Sequence, residues 1–545
     1  MRVSTDRYLD FPEVLAACER LAAHPLVELQ TLGVTRHGRP IVLLTIGRDV
    51  ADKPAFWLDA GTHAVEWTGV SAALATVDSW LARWDAGDPE ITAFLEHHAA
   101  FVAPCISPDG YQAMHEGAPY LRSTLRPAPG GVRAGLAASD IDGDGEVLWM
   151  RWRHPAGPWV EDADEPLLMR PRSLDDDPAE AFFLASEGTL LQWDGWQWVD
   201  APRAFGLDLN RNFPAEWAPF RMFGMDGGAY PGSEAESRAV LDALAARPRI
   251  AAALTNHTYT GALLTQPYRA DSPLDDGDIR LMERLARGAV EGTGYRAIRV
   301  HPDFTYDPDK PIRGVWADTL STTFGLPGYT LELWNPFGFA GVEVPNPATF
   351  FRDPDFDVLR ALVTRFRQEG LTRDWRSFEH PQLGPVELGG LHYLHSVRNP
   401  PPHLLPDECV RGVRIADRIR RSLPRVVGHV EVEGAGEHRV LKLRLENLGF
   451  LPSSSLTLAV SRGLTPAITA RVEGVDTVGP RAVELDHLGG WGQAAAGLAS
   501  NPIYPGLGHN SQRVEHRFVV RGRGRATLRW DAGRGGRGEH EVILE

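Results

Sequence analysis

The stretch "LDAGTHAVEWTGV", residues 58–70, changes from strand-like to helix-like sequence, and His63 and Glu66 lie at the change. The apolar run at its start is typical of a buried strand, whereas the apolar residues at and after its end recur at helical spacing, at Val70, Leu74, Val77 and Leu81. His63 and Glu66 are therefore predicted to lie in a strand-to-helix turn. In an open α/β sheet such turns line the crevice where ligands bind. A carboxylate stabilised by the helix dipole next to a surface histidine would give the same pattern, so this stretch alone leaves both readings open.

Length and composition indicate a large globular protein with more than one domain. At 545 residues the chain is too long for one ordinary core, and its net charge of −16 argues against a nucleic-acid partner, which would need a basic face. The first residues lack the apolar run of a signal peptide, and no stretch is long enough to cross a membrane, so we expect a cytoplasmic protein with no membrane partner. With only three cysteines, a metal site would need nitrogen and oxygen ligands.

The sequence changes character along the chain in a way that predicts three parts. Short apolar strands alternate with helical segments as far as residue 385, which predicts an α/β domain. A Pro-, Gly- and Trp-rich stretch at about residues 127–205 interrupts this pattern as an insertion. Residues 386–424 are predicted to form a linker and a helix. Alternating short strands over residues 425–545 predict a β-sandwich-like accessory domain.

Three further stretches carry side chains suited to catalysis. In "LTNHTYTG", His257 ends another apolar strand, so it could join His63 and Glu66 at the same edge of the sheet. Two imidazoles, one carboxylate and an open fourth position are typical of a catalytic zinc site. In "GYTLELWNPFG", Glu332 lies within an apolar strand, where a carboxylate is costly unless it is paired or close to a cation. It is a natural general base for metal-activated water. The third stretch, "LDLNRNFP", offers an amide and a guanidinium that could bind a carboxylate.

Together these stretches resemble the zinc metallocarboxypeptidases of the carboxypeptidase A type, peptidase family M14. The similarity covers about residues 8–380 and includes the order of the motifs. It implies an α/β fold with a mixed central sheet flanked by helices, one Zn²⁺ per chain and Glu332 as the general base. The implied zinc ligands are His63, Glu66 and His257.

The resemblance also implies residues that bind the substrate, a peptide with a free C-terminal carboxylate. Asn210 and Arg211 would hold that carboxylate. The arginine that polarises the scissile carbonyl would come from "YLRSTLRPAP", where Arg126 is favoured and Arg122 is the alternative. Tyr306 is the nearest candidate for the family's mobile tyrosine, although it lies several residues from the expected position.

The side-chain preference of such a site would depend on a pocket near Ala317. Alanine at the selective position favours apolar or aromatic C-terminal residues, unless the neighbouring Asp318 points inward and reverses that preference. The sequence does not decide between the two, nor does it predict the oligomeric state.

Two other functions fit the same motifs. One is hydrolysis of another N-acyl amino acid or of a cell-wall amide. The other is a non-catalytic module that binds C-terminal carboxylates, which would be expected to lack a zinc ligand or the base.

A separate acidic turn, "DIDGDGE", begins like a calcium-binding loop. Its twelfth position is Arg151 instead of the usual glutamate. A structural cation could bind there to Asp140, Asp142 and Asp144.

Overall fold

A mixed sheet of eight strands forms the centre of the α/β domain in the computed structural model. The structure describes residues 3–125, 134–196, 207–219, 221–222, 225–305, 311–350, 353–434, 436–494 and 511–545. In spatial order the strands are Val27–Val34, Pro40–Ile46, Ala99–Ala103, Ala55–Ala60, Ile250–Thr258, Gly328–Leu333, Ala262–Thr265 and Arg296–Arg299. The predicted fold class is confirmed.

The four middle strands of this sheet run parallel to one another. Strand Ile250–Thr258 pairs with Ala55–Ala60 on one side and with Gly328–Leu333 on the other. All nine of its residues are buried, which agrees with its uninterrupted apolar start and with helices on both faces of the sheet. Parallel pairing brings the carboxyl ends of these three strands to one edge, where His257 and Glu332 lie.

Helices cover both faces of the sheet and bury two separate apolar cores. Helix Trp67–Asp85 contains the residues predicted from helical spacing but begins at Trp67, three residues before Val70, and it packs along Leu405–Arg420. The helices of eight or more residues are Phe11–Ala22, Trp67–Asp85, Pro89–His97, Pro108–His115, Ala235–Ala245, Asp276–Val290, Phe356–Gln368 and Leu405–Arg420. Shorter ones are Trp316–Thr322, Pro336–Phe339, Pro347–Phe350, Thr457–Ser461 and Trp491–Ala494.

The insertion forms a second sheet together with a later hairpin. The hairpin strands Thr372–His380 and Gly384–Leu391 pair with each other, and Gly384–Leu391 also pairs with strand Trp149–Arg153 of the insertion. The sheet continues through Phe182–Ser186, Trp159–Glu161 and Met169–Pro171. It therefore includes residues on both sides of the boundary expected at residue 385. Two small ribbons pair Gly135–Ala138 with Gly188–Leu191, and Arg221–Met222 with Met225–Asp226.

The C-terminal part consists of two four-stranded antiparallel sheets that share one apolar core. One contains Val426–Glu433, His438–Asn447, Arg513–Arg521 and Asp476–Thr477. The other contains Ala482–Leu485, Ile468–Glu473, Gly524–Asp531 and Arg537–Leu544. The alternation that predicts this part is visible in strand His438–Asn447, where Leu441, Leu443 and Leu445 all face the core.

The C-terminal sheets are attached to the α/β domain through charged side chains. Arg534 is buried and donates to the carbonyl oxygen of Gly325 at 2.6 Å, and Asp278 accepts the backbone N–H of Thr457 at 2.8 Å. Among the residues described above, no helix combines the length and the apolar character needed to cross a membrane.

Candidate active site

Three side chains of the metal-ligand type meet at the carboxyl edge of the central sheet. His63 and Glu66 lie in the turn between strand Ala55–Ala60 and helix Trp67–Asp85, where Glu66 is the N-cap residue. His257 lies at the end of the adjacent parallel strand, so that strand pairing alone brings it next to the turn. Nδ1 of His63 is 2.8 Å from Glu66 Oε1, and Nδ1 of His257 is 2.9 Å from Glu66 Oε2.

This group has the chemistry and the size of a zinc site. The two Nδ1 atoms face each other at 3.0 Å, and ligand atoms of all three residues lie within 4.8 Å of one another. Tetrahedral zinc with bonds of about 2.0–2.1 Å needs ligand atoms about 3.3 Å apart. The observed separations of 2.8, 2.9 and 3.0 Å are slightly shorter, so small outward movements of the three side chains would admit the ion. Burial alone would raise the pKa of Glu66, but the two histidines hold that pKa well below its usual range. With both imidazoles neutral, an ionised Glu66 and two ring-nitrogen lone pairs would be available to a cation.

Asp208 and Arg122 surround these three side chains. Asp208 Oδ1 is 3.2 Å from His63 Nε2, and Arg122 lies 3.3 Å from both Asp208 Oδ2 and Glu66 Oε1. Burial would raise the pKa of Asp208, but Arg122 and Arg211 keep that pKa well below the ordinary value. Sequence reasoning missed Asp208, although it lies only two residues before Asn210 in the stretch already singled out.

Glu332 is directly beside His257 in the sheet, because the two residues are register partners on parallel strands. Its side chain is only partly buried, and it takes part in no ion pair among the described residues. Removal from water is the largest influence on this carboxyl and, with the nearby Glu66, raises its pKa to about 7, against the opposing effects of His257, Arg122 and Arg398. A carboxylate with a pKa near neutrality can both accept and return a proton.

Asn210 and Arg211 occupy a short 3₁₀ turn, Leu209–Arg211, and both are buried. The Asn210 side-chain oxygen accepts the backbone N–H of Trp316 at 2.9 Å, which fixes the orientation of the amide. The Arg211 guanidinium donates to the Asn210 carbonyl oxygen at 2.7 Å. Arg126 and Tyr306, the remaining predicted site residues, lie outside the described residues.

The predicted selective position is inside the fold, in helix Trp316–Thr322. Ala317 is buried, and the Asp318 carboxylate beside it accepts hydrogen bonds from Gln266 Nε2 at 3.0 Å and from Arg269 Nη1 at 2.6 Å. The negative charge of Asp318 is therefore paired with Arg269.

The acidic turn of the insertion differs from the set of cation ligands expected there. Asp140 and Asp142 group with Glu187, which sequence reasoning did not include. Asp144, which was expected as the third ligand, forms an ion pair with Arg376, and Asp142 also pairs with this arginine. The oxygens of Asp140 also accept the backbone N–H groups of Gly143 and Gly145, so this carboxylate shapes the turn itself.

Besides Arg122, a second arginine lies close to the three predicted zinc ligands, and sequence reasoning missed it. Arg398 Nη1 lies 3.7 Å from Glu66 Oε1, and the side chain is 15% exposed. Nothing in the surrounding stretch "HSVRNPPP" distinguishes this arginine from an ordinary loop residue.

Comparison with known proteins agrees with this arrangement. A family model described as "Zinc carboxypeptidase" matches residues 14–341, which is more than half of the chain. The chain therefore belongs to the zinc carboxypeptidase family, whose members depend on zinc. A second model, described as a domain of unknown function (DUF8731), matches residues 426–543.

Individual relatives are similar over shorter stretches. Carboxypeptidase A2 of Rattus norvegicus is 35% identical over 108 residues, which are 19% of this chain and 25% of that protein. Carboxypeptidase A1 of Mus musculus is 24% identical over 302 residues, covering 52% of this chain and 51% of that protein. The matches thus span between a quarter and about half of these curated relatives.

Solved structures also match the chain. Thrombin activatable fibrinolysis inhibitor matches with a TM-score of 0.41 and 18% identity, over 68% of this chain and 76% of that one. Carboxypeptidase A from Helicoverpa armigera matches with a TM-score of 0.41 and 17% identity, over 67% and 75% of the two chains.

Proposed function

We propose that this protein is a zinc metallocarboxypeptidase that removes single amino acids from the C-terminus of peptides. One observation carries the proposal: His63, Glu66 and His257 converge within 4.8 Å, and the register partner of His257 is the carboxylate Glu332. A binder of C-terminal carboxylates would have no need for this base next to a complete ligand set.

The two histidines and Glu66 would hold one zinc ion per chain. When bound, zinc supplies a Lewis acid that polarises a carbonyl and lowers the pKa of a water molecule. Glu332 takes the proton from the attacking water on a carboxylate oxygen and later delivers it to the leaving amine nitrogen. Burial raises the pKa of Glu332 to about 7, which suits a group that takes up a proton and then returns it.

Substrate orientation would depend on the turn Leu209–Arg211. The Arg211 guanidinium and the Asn210 amide would bind the terminal carboxylate, which converts binding energy into correct placement of the scissile bond. Because Arg269 pairs with Asp318, the pocket near Ala317 offers no unpaired negative charge from Asp318. We therefore favour apolar or aromatic C-terminal residues over basic ones.

We also propose a division of the chain into three parts. We assign residues 1–385 to the catalytic domain with its insertion, 386–424 to a linker and helix, and 425–545 to the accessory domain. Because strand Gly384–Leu391 pairs with the insertion, we propose to extend the catalytic domain from residue 385 through Leu391, so that the linker begins after this strand.

The test is a product profile of the purified, zinc-loaded protein. Peptides that differ only in the last residue are incubated as free acids and as C-terminal amides, alongside N-acyl amino acids and cell-wall peptides, and the products are identified by mass spectrometry. A carboxypeptidase releases one residue at a time from the free acids and leaves the amides largely intact. Exclusive cleavage of N-acyl amino acids or of cell-wall amides would replace the proposed substrate, and no cleavage at all would leave a binding protein.

A further inference from the structure

Arg398 enters the candidate active site from outside the part of the chain that the carboxypeptidase model matches. That match ends at residue 341, whereas Arg398 lies between strand Gly384–Leu391 and helix Leu405–Arg420. Its guanidinium nevertheless approaches a predicted zinc ligand, with Nη1 3.7 Å from Glu66 Oε1, and lies 3.5 Å from the carbonyl oxygen of Thr258. The segment after the matched region therefore contributes a cation to the site.

The backbone that carries Arg398 is fixed to the turn that holds the ligands. Asn399 is fully buried, its side-chain nitrogen donates to the carbonyl oxygen of Val65 at 2.8 Å, and its side-chain oxygen accepts the backbone N–H of Thr68 at 3.0 Å. On the other side, the Tyr8 hydroxyl donates to the carbonyl oxygen of Pro400 at 2.7 Å. Residue 398 is thus held between two anchored neighbours beside Glu66.

Three tyrosines then orient the guanidinium itself. Arg398 Nε donates to the Tyr393 hydroxyl at 2.8 Å, and Nη2 lies 3.4 Å from the Tyr120 hydroxyl. The rings of Tyr393, Tyr120 and Tyr259 all lie within 6 Å of its central carbon, at 5.6, 5.8 and 5.2 Å. Such contacts are cation–π interactions, which hold the charge without neutralising it.

The other described arginine at this carboxylate is engaged differently. Arg122 contacts two ionised carboxylates, Asp208 and Glu66, each at 3.3 Å. Arg398 instead contacts hydroxyl and carbonyl oxygens, and its nearest carboxylate oxygen is beyond hydrogen-bond distance at 3.7 Å. A guanidinium has five N–H donors, of which Arg398 uses three on the described residues. Donors remain for a substrate oxygen.

The position of Arg398 also differs from that of the predicted carboxylate anchor. Arg211 lies in the turn Leu209–Arg211, where the Asn210 side chain accepts the backbone N–H of Trp316 at 2.9 Å, next to the predicted side-chain pocket. The Arg398 guanidinium instead lies 3.7 Å from Glu66 Oε1, among the rings of Tyr120, Tyr259 and Tyr393. In the proposed function the terminal carboxylate is held at Arg211 and the scissile carbonyl lies at the zinc ligands, and Arg398 contacts one of those ligands.

We propose that Arg398 is a further catalytic residue, in addition to the arginine expected from "YLRSTLRPAP", and that it donates hydrogen bonds to the scissile carbonyl oxygen; this inference rests on the function proposed above. As water adds to the carbonyl carbon, the π electron pair moves to that oxygen, and the fixed guanidinium stabilises the growing negative charge without giving up a proton. Such preorganised donors contribute mainly in the transition state.

The test compares Arg398→Ala and Arg398→Lys with the wild type. Arg414→Ala is the matched control, because Arg414 lies on the following helix and donates to the carbonyl oxygen of Gly292 at 3.1 Å, away from the site. Turnover, zinc content and melting temperature are measured for each. Calorimetry then gives the affinity for a phosphonate analogue of the tetrahedral state and for the free C-terminal amino acid.

We expect Arg398→Ala to lower kcat about 100- to 1,000-fold, as loss of an oxyanion donor typically does. Affinity for the phosphonate should fall at least ~10-fold, whereas affinity for the amino acid should not change. Arg398→Lys should recover part of both losses, and Arg414→Ala should behave as wild type. If Arg398→Ala does not fold, Tyr393→Phe, which removes the 2.8 Å acceptor, should give a smaller loss of the same pattern.

Near-normal turnover and phosphonate binding in a folded Arg398→Ala protein would overturn the inference. Equal losses for phosphonate and amino acid would also overturn it, because they indicate a general structural role. Both results would be measured against an active wild type, so they would contradict the role of Arg398 without contradicting the proposed carboxypeptidase function. A wild type that releases no amino acid would overturn both proposals.

Discussion

Asp208 Oδ1 lies 3.2 Å from Nε2 of His63, while Nδ1 of the same ring lies 2.8 Å from Glu66 Oε1. An ionised Asp208 can only accept a hydrogen bond, so it selects the tautomer with the proton on Nε2 and leaves a lone pair on Nδ1. The geometry therefore prepares His63 as a metal ligand before any metal binds.

Asp208→Asn should weaken zinc binding without removing the site. The amide is neutral and can turn its N–H group towards His63, which would stabilise the wrong tautomer and leave Arg122 without one of its carboxylates. Loss of such a partner typically costs about 10- to 100-fold in metal affinity. Competition with a chromogenic chelator measures it, and Asp176→Asn, which alters an ion pair with Arg170 in the insertion, should leave the affinity unchanged.

Removal of a predicted zinc ligand should reduce zinc binding more than substitution of Asp208, the hydrogen-bond partner of His63. We expect His63→Ala and His257→Ala each to hold well below one zinc per chain by elemental analysis, because each variant keeps only two of the three protein ligands. A chelator should abolish activity of the wild type but leave its circular dichroism unchanged, since the apolar cores do not include the metal. His403→Ala changes an exposed histidine and is the control. Full zinc occupancy in both ligand variants would remove this site.

The sequence predicted the parts of the site that local patterns encode. The change of hydrophobic period places His63 and Glu66 in a turn but leaves their role open, and strand pairing brings His257 and Glu332 beside them. Asp208 was missed because its role depends on a contact 145 residues away in sequence. Arg398 was missed for a similar reason: its charge reaches Glu66 from a loop that is 332 residues later in the chain and has no motif of its own. The sheet that the insertion forms with the hairpin of residues 372–391 was not predicted from the sequence, because pairing between distant strands has no local signature.

Arg211→Ala should reduce the preference for a free C-terminus. In the wild type an amidated peptide presents a neutral group to a buried guanidinium, so kcat/KM should be much lower than for the free acid. The variant should lose about 10- to 100-fold on the free acid and little on the amide, as expected for one charge-assisted contact. Parallel assays of the matched peptide pair measure both values. An unchanged ratio of acid to amide would assign the carboxylate contact to another residue.

Acid should destabilise the protein between pH 7 and pH 5, in part through His98. Burial lowers the pKa of His98 to about 4 from 6.5, and its Nε2 lies 3.3 Å from the carbonyl oxygen of Pro424. The unfolded chain binds a proton at this residue before the folded one does, so the contribution of neutral His98 is complete above pH 6.5 and is lost as the pH falls. At pH 5 the loss is on the order of 2 kcal/mol of unfolding free energy.

Melting temperatures at pH 7 and pH 5 test this dependence. His98→Asn cannot titrate, so its melting temperature should fall less between the two pH values than that of the wild type, even if the variant is less stable at pH 7. His403→Ala should show the same fall in melting temperature between pH 7 and pH 5 as the wild type, since the His403 side chain is exposed. Identical shifts in wild type and His98→Asn would show that His98 does not contribute.

Glu332→Gln separates an enzyme from a protein that merely binds metal. The substitution keeps the shape of the side chain and removes its ability to take up a proton. Because Glu332 acts only on the way to the transition state, zinc content, folding and substrate binding should remain nearly normal. Turnover should fall about 100- to 10,000-fold, and towards the upper end if the same carboxyl serves both proton transfers.

The alternative is that Glu332 only stabilises the sheet edge through its charged neighbours. In that case Glu332→Gln would lower the melting temperature, and activity would fall only with the fraction of folded protein. Glu187→Gln provides the comparison: Glu187 is a buried carboxylate of the insertion that accepts the backbone N–H groups of Ile141 and Leu148, so its loss should affect stability with near-normal turnover. Melting temperature, zinc content and turnover measured on one preparation of each variant distinguish the two roles. If Glu332→Gln behaves like Glu187→Gln, Glu332 is not the general base.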